Sequence, residues 1–153
     1  MINLDDFVTD AQHFKWREVL YLPSWKIYHT PSDQEIQNLI SLITKVDVIH
    51  DYFDAPFNVH CALRPSSVNC PGSLYHGKDY NHFVGGAAHS THIVGLAIDF
   101  DVVGKSVDDV MIQAKAQLNN WQLSWEQNGS ASGRNWCHAQ DKQVDGIWKI
   151  FTP

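Results

Sequence analysis

Apolar residues recur at helical intervals in two stretches of this chain and alternate with polar ones in several others. After Pro31, Ser32-Asp33-Gln34-Glu35 forms a capping box, in which serine and glutamate satisfy free amide groups reciprocally. Ile36, Leu39, Ile40 and Ile43 follow on one face, predicting a scaffold helix from about Asp33 to Val46 or further, packed on a sheet. Ser106 caps a second helix whose Val107, Val110, Met111, Ala114 and Leu118 share one side. Strands are predicted at Phe57–Leu63, from Gly95 to Val102, at about Trp121–Glu126, at about Asn135–Gln140 and at Ile147–Phe151. Gly129, Gly133 and two serines make residues 127–134 a hairpin connection. The first thirty residues hold Phe7, Phe14, Trp16, Tyr21, Trp25 and Tyr28 without a clean period, and read as a short helix followed by wrapping segments. A polar loop from Ser66 to about His89 exceeds the usual connection length, which favours a functional role. Helices interspersed with hairpin-linked strands predict an α+β fold: a small, mostly antiparallel sheet flanked by helices.

The chain has 153 residues, and the expectation is one domain over residues 1–153 with a real hydrophobic core. Hydrophobic residues make up 44% and charged residues 18%, a globular balance rather than a disordered one. A net charge of −6 with no Lys/Arg cluster argues against nucleic acid and anionic membranes as partners. No apolar run approaches the roughly 20 residues that span a bilayer, and the acidic start, Met1 to Asp6, lacks the features of a signal peptide. Cys61, Cys70 and Cys137 are too few for a disulfide scaffold. They read as buried or free thiols, with a Cys61–Cys70 bridge as the alternative. If Cys137 and His138 share a strand, their side chains point to opposite faces, which makes Cys137 a poor ligand beside His138.

The chemistry concentrates in Ser90-Thr91-His92-Ile93-Val94-Gly95-Leu96-Ala97-Ile98-Asp99 and in Asn135-Trp136-Cys137-His138. Two imidazoles and one carboxylate suit a zinc ion with its fourth position open to water, the usual catalytic arrangement. On a helix His92 and Asp99 would lie roughly 10 Å apart, so they converge only if the chain turns near Gly95 and Asp99 enters a strand. Asp101 shares the face of Asp99 and could in principle compete with it as a ligand. A histidine and a carboxylate at this spacing are weakly specific alone. The longer Ser-x-His-x-x-Gly-x-Ala-x-Asp string is much more so.

That string, followed by Trp136-Cys137-His138, resembles the M15 zinc peptidases, which include D-Ala-D-Ala carboxypeptidases and phage L-alanyl-D-glutamate endolysins. Leu63-Arg64-Pro65-Ser66-Ser67-Val68-Asn69 stands where the family carries a serine-glycine-tyrosine-arginine-serine segment, and Ser32 to Tyr52 matches the helix before it. The likeness covers about residues 30–140 and implies the hedgehog/DD-peptidase fold. It implies zinc (Zn²⁺) held by His92, Asp99 and His138, with Arg64 polarising the scissile carbonyl or neutralising the oxyanion. Ser90 either binds substrate or orients the turn before His92. Some members place a glutamate three residues before the last histidine, and others a histidine two before it. This chain has Asn135 and Trp136 there, and neither serves as a base. Glu126, at the end of the preceding strand, is the substitute, and related sequences carry a glutamate in that place.

The implied function is a zinc-dependent peptidase acting on peptidoglycan stem peptides, of endolysin or carboxypeptidase type. The alternative is a non-catalytic, zinc-stabilised cell-wall-binding or virion module, favoured by Asn135 and Trp136, because a fold does not fix a function. Family habit points to a phage lysin released from the host cytoplasm to the cell wall, or a component of the phage particle.

Overall fold

The computed structural model describes residues 2–66, 78–130 and 132–152. Its first long helix, designated α2, spans Asp33–Phe53 and begins at the expected cap. The Ser32 hydroxyl accepts the Glu35 amide at 3.3 Å, and the Glu35 carboxylate accepts the Ser32 amide at 2.7 Å. The helix outruns its minimal prediction and stops where Asp54 turns left-handed. Leu39, Leu42, Ile43, Val46 and Ile49 form its buried face. The other long helix, α4 (Val107–Trp121), buries Val110, Met111, Ala114 and Trp121. The strand expected from Trp121 is therefore shorter: Trp121 closes the helix, Gln122 turns left-handed after it, and pairing starts at Ser124.

Five strands make the main sheet: β3 (Phe57–Cys61), β4 (Ala97–Val102), β5 (Ser124–Glu126), β6 (Cys137–Gln140) and β7 (Ile150–Phe151). Their spatial order is β3-β4-β6-β5-β7, with every pair antiparallel except β5 with β7. Each strand is shorter than predicted, because pairing ends before the hydrophobic pattern does. Residues 95 and 96 lead into β4, residues 135 and 136 into β6, and residues 147–149 into β7. Ile98, Phe100 and Val102 of β4, Trp125 of β5, and Cys137 and Ala139 of β6 join the apolar faces of α2 and α4 in one core. Alternation sends Asp99, Asp101 and His138 to the opposite face.

The aromatic N-terminal part forms a short helix, α1 (Trp16–Leu20), and a two-stranded hairpin of β1 (Tyr21–Leu22) with β2 (Ile27–Tyr28). Asp47 on α2 anchors the segment before it by accepting the backbone amides of Gln12 and His13, both at 3.0 Å. Leu22 and Tyr80 form a second, smaller core. Tyr80 belongs to α3 (Tyr80–Phe83), a one-turn helix inside the long loop expected to be irregular. The remaining expectations for that loop, Cys70 included, lie outside the described residues. Among the described residues no helix is long and apolar enough to cross a membrane.

His13 stacks on His50 with ring centroids 3.8 Å apart, and Phe14 and Phe57 pack edgewise and tilted against His50. Burial first, and His13 second, hold the His50 pKa below the ordinary imidazole value, against Asp47, Asp51 and Asp54. A histidine whose folded pKa is depressed contributes stability above the unfolded value of about 6.5, and that stability is lost as pH falls through the folded value. Acidification from pH 7 to 5 is expected to lower the urea midpoint, and His50→Gln should reduce that decline. A wild-type and variant decline of equal size, measured by urea titration, would contradict this.

Candidate metal centre and its cleft

His92 is positioned by a turn rather than by a strand. Ser90 caps a single 3₁₀ turn, Thr91–Val94, its hydroxyl accepting the His92 amide at 3.3 Å. Gly95 then adopts φ 76°, a left-handed conformation that costs most side chains strain, and redirects the chain into β4. A Cβ at this position would stand 3.1 Å from Cγ of Leu39 on α2, so the turn is pressed against the helix. The His92 ring ends fully buried, and its Nδ1 donates to the Ala62 carbonyl at 2.8 Å. That bond fixes the tautomer and leaves Nε2 with a free lone pair.

Strand pairing supplies the other two groups. Asp99 and His138 are direct partners across β4 and β6, and they project from the same face. His138 Nδ1 lies 2.7 Å from one Asp99 oxygen, and His92 Nε2 lies 3.2 Å from the other. The two histidine nitrogens are 3.3 Å apart, and all three ligand atoms fall within 4.8 Å of one another. Burial lowers the His92 pKa, which outweighs the opposing pull of Asp99 and keeps the ring neutral. Burial alone would raise the Asp99 pKa, but His138, hydrogen-bonded to it, and His92 beside it reverse this and hold the carboxylate ionised.

These protonation states fit a cation. With Nδ1 committed to Ala62, His92 presents a lone pair to an ionised carboxylate at 3.2 Å. Two electron-rich atoms at that distance repel unless a positive charge lies between them. Neutral imidazoles and a carboxylate are also the donor set that zinc favours. His13, His50 and Asp51 form a second convergent group. The two rings there are stacked within 12° of parallel, so one ion cannot lie in both ring planes, as in-plane nitrogen lone pairs require. Among the described residues, only the first group has suitable geometry.

The register extends the site sideways. Cys61 on β3 pairs with Asp99, and Asp99 pairs with His138. Trp125 pairs with Ala139, so the next step of the antiparallel ladder places Glu126 opposite His138. Glu126 pairs in turn with Phe151 on β7. One transverse row thus runs Cys61, Asp99, His138, Glu126, Phe151, with neighbouring strands about 4.8 Å apart. An open cleft of about 770 Å³ lies over it, lined by Arg64, Ser90, Asp99, Glu126 and His138 among others. Arg64 donates to the Ser90 hydroxyl at 3.5 Å, and Ser90 also caps the His92 turn. Both alternatives for Ser90 are therefore compatible with its position.

Other expectations sort themselves by face. Cys137 is buried in the core, opposite to His138, as alternation required. Cys61 and Cys137 are both free thiols. Asp101 does share the face of Asp99, but its carboxylate is held by His60 at 2.7 Å and is not part of the convergent group. Trp125 is core, whereas Trp136 lines the cleft and is 40% exposed. The sequence reading gave no role to Arg134, Lys142 or Phe151, which also line the cleft. Arg134 forms an ion pair with Glu126. The signal was present, since the two residues bracket the hairpin loop, but Arg134 belongs to no recognisable motif.

A layered α+β fold that gathers two imidazoles and a carboxylate at the floor of an open cleft defines a candidate metal-dependent hydrolase. Residues 13–140 match the family model described as Peptidase M15. The chain belongs to the peptidase M15 family. No curated protein and no solved structure gives a significant match.

Gly95→Ala should lower stability by about 1–3 kcal/mol through left-handed strain, with pressure on Leu39 adding to it. It should also weaken divalent-ion binding, because His92 sits on the displaced turn. Urea denaturation together with metal titration checks this, and an unaltered metal affinity would detach the turn from the site.

Proposed function

We propose that the protein is a zinc-dependent peptidase that cleaves peptidoglycan stem peptides. The observation that carries this reading is the transverse row that sets Glu126 beside the convergent His92, Asp99 and His138 under an open cleft. On this reading His92 Nε2, His138 Nδ1 and an Asp99 oxygen hold the ion. Zinc bound there supplies Lewis acidity and lowers the pKa of its water to about 7.

The remaining work falls to the side chains. Glu126 accepts the proton of the attacking water and passes it to the leaving amine. Arg64, which is always charged and presents several donors, faces the carbonyl oxygen as negative charge develops on it. Ser90 braces the Arg64 guanidinium and the His92 turn together. The Ala62 carbonyl keeps the His92 ring oriented. Cleft volume is ample for a short, extended peptide rather than for a folded substrate. Asn135 and Trp136 do not remove the base under this scheme, because Glu126 occupies the adjoining strand.

Glu126→Gln should retain one zinc per chain and lose about 10²- to 10⁴-fold in kcat, the usual contribution of a general base. Wild-type turnover of purified peptidoglycan by that variant would sink the assignment. Asp99→Ala and His138→Ala should instead lose zinc, as read by metal analysis after dialysis. If the zinc-loaded wild-type protein releases no new amino groups from peptidoglycan, the non-catalytic wall-binding alternative gains.

A further inference from the structure

The charges facing the cleft are unevenly committed. Arg64, Arg134 and Lys142 line it on the positive side, and Asp99, Glu126 and Asp145 on the negative side. Asp99 is occupied by two histidines, and Asp145 is paired with Lys149 outside the cleft lining. Among the described residues, Arg64 and Lys142 have no carboxylate partner. Arg64 Nε is buried without a hydrogen-bond acceptor. Arg64 and Lys142 thus face the cleft with no carboxylate partner among the described residues, in a chain of net charge −6.

Arg134 is the cation best built for recognition. Its backbone is pinned: Gly129 donates to the Arg134 carbonyl at 2.8 Å, and Ser132 Oγ accepts the Arg134 amide at 3.3 Å. Asp108 on α4 ties the same loop down through the Ser130 amide at 3.1 Å. The side chain is left 40% exposed over the cleft, with Nη1 on the Glu126 carboxylate. A guanidinium has five donors in a planar fork, and Glu126 occupies one edge of it. With 40% of its side chain exposed, Arg134 keeps donors on the cleft side that an arriving carboxylate can share with Glu126.

We propose that Arg134 is a specificity-determining residue that binds a free carboxylate on the substrate residue flanking the scissile bond. The inference rests on the peptidase reading for the identity of that bond. Because Glu126 stands opposite His138 and Arg134 pairs with Glu126, a group held by Arg134 would sit on the Glu126 side of the convergent residues. A stem peptide suits this site chemically, since a D-glutamate joined through its γ-carboxyl keeps its α-carboxylate free in mid-chain. An ordinary α-linked peptide has no main-chain carboxylate there.

The test is equilibrium binding to the metal-free protein, where no turnover intervenes. The probes are synthetic L-Ala–D-Glu–L-Lys, γ-linked, and the same peptide with the D-Glu α-carboxylate converted to carboxamide. The wild type should bind the acid form about tenfold more tightly or better, the value of one charge-assisted hydrogen bond. Arg134→Gln should erase that preference while binding the amide as before, and Arg134→Lys should restore part of it. With zinc and a cleavable substrate, the same preference should appear in KM rather than in kcat. Equal wild-type binding of the two peptides, or an undiminished preference in Arg134→Gln, overturns the proposal. So does an equal loss of kcat on both peptides, which would make Arg134 a holder of Glu126 only. Selective binding without zinc-dependent cleavage would leave the carboxylate site standing and count against the peptidase reading instead.

Discussion

Strand register is the constraint on which the site depends. Asp99 pairs with His138, and one step along the neighbouring ladder sets Glu126 on the far side of that histidine. A slip of one residue in either pairing would turn the carboxylate or the imidazole into the core. The core guards against that slip, since Ile98, Phe100, Trp125 and Ala139 occupy the intervening positions and are fully buried. Hydrophobic burial thus aligns polar side chains that make no contribution to it. Of the three convergent residues, His92 stands outside the ladder and relies on a turn packed against α2.

That turn links helix packing to the chemistry. Leu39 contributes to the main core and also backs Gly95 closely enough that a side chain there would have to displace it. Asn38, one residue earlier, donates to the Val94 carbonyl at 2.7 Å. The end of the turn is therefore held from one side by α2, while Arg64 donates its backbone amide to the His92 carbonyl at 2.9 Å from the other. The ring carried by the turn has little freedom to leave the position that Ala62 assigns it.

Much of this was legible in the residues. The capping box at Ser32 and the helical period after it set α2, and strict alternation in Ala97–Val102 separated ligand face from core face. The need for a reversal at Gly95 followed from the spacing of His92 and Asp99. Less legible was anything decided by pairing partners. Trp121 closes its helix and is buried there, and α3 sits inside the loop with Tyr80 packed against Leu22. Asp101 looked equivalent to Asp99 in the sequence. Its separation from the site came from His60, a neighbour supplied by the β3 irregularity between Val59 and Cys61. Arg134 had no periodic or motif signature, since its position depends on a loop whose shape is set by two glycines and a serine.

The end of the row opposite Phe151 carries a further consequence. Cys61 lies beside Asp99, yet burial pushes its thiol up to about 12, and Cys137 in the core is pushed equally far. Thiolates, not thiols, attack disulfides and capture soft metals. Burial thus favours the protonated thiol at both positions at neutral pH. A thiol held protonated beside Asp99 competes poorly for any ion that His92, Asp99 and His138 would hold.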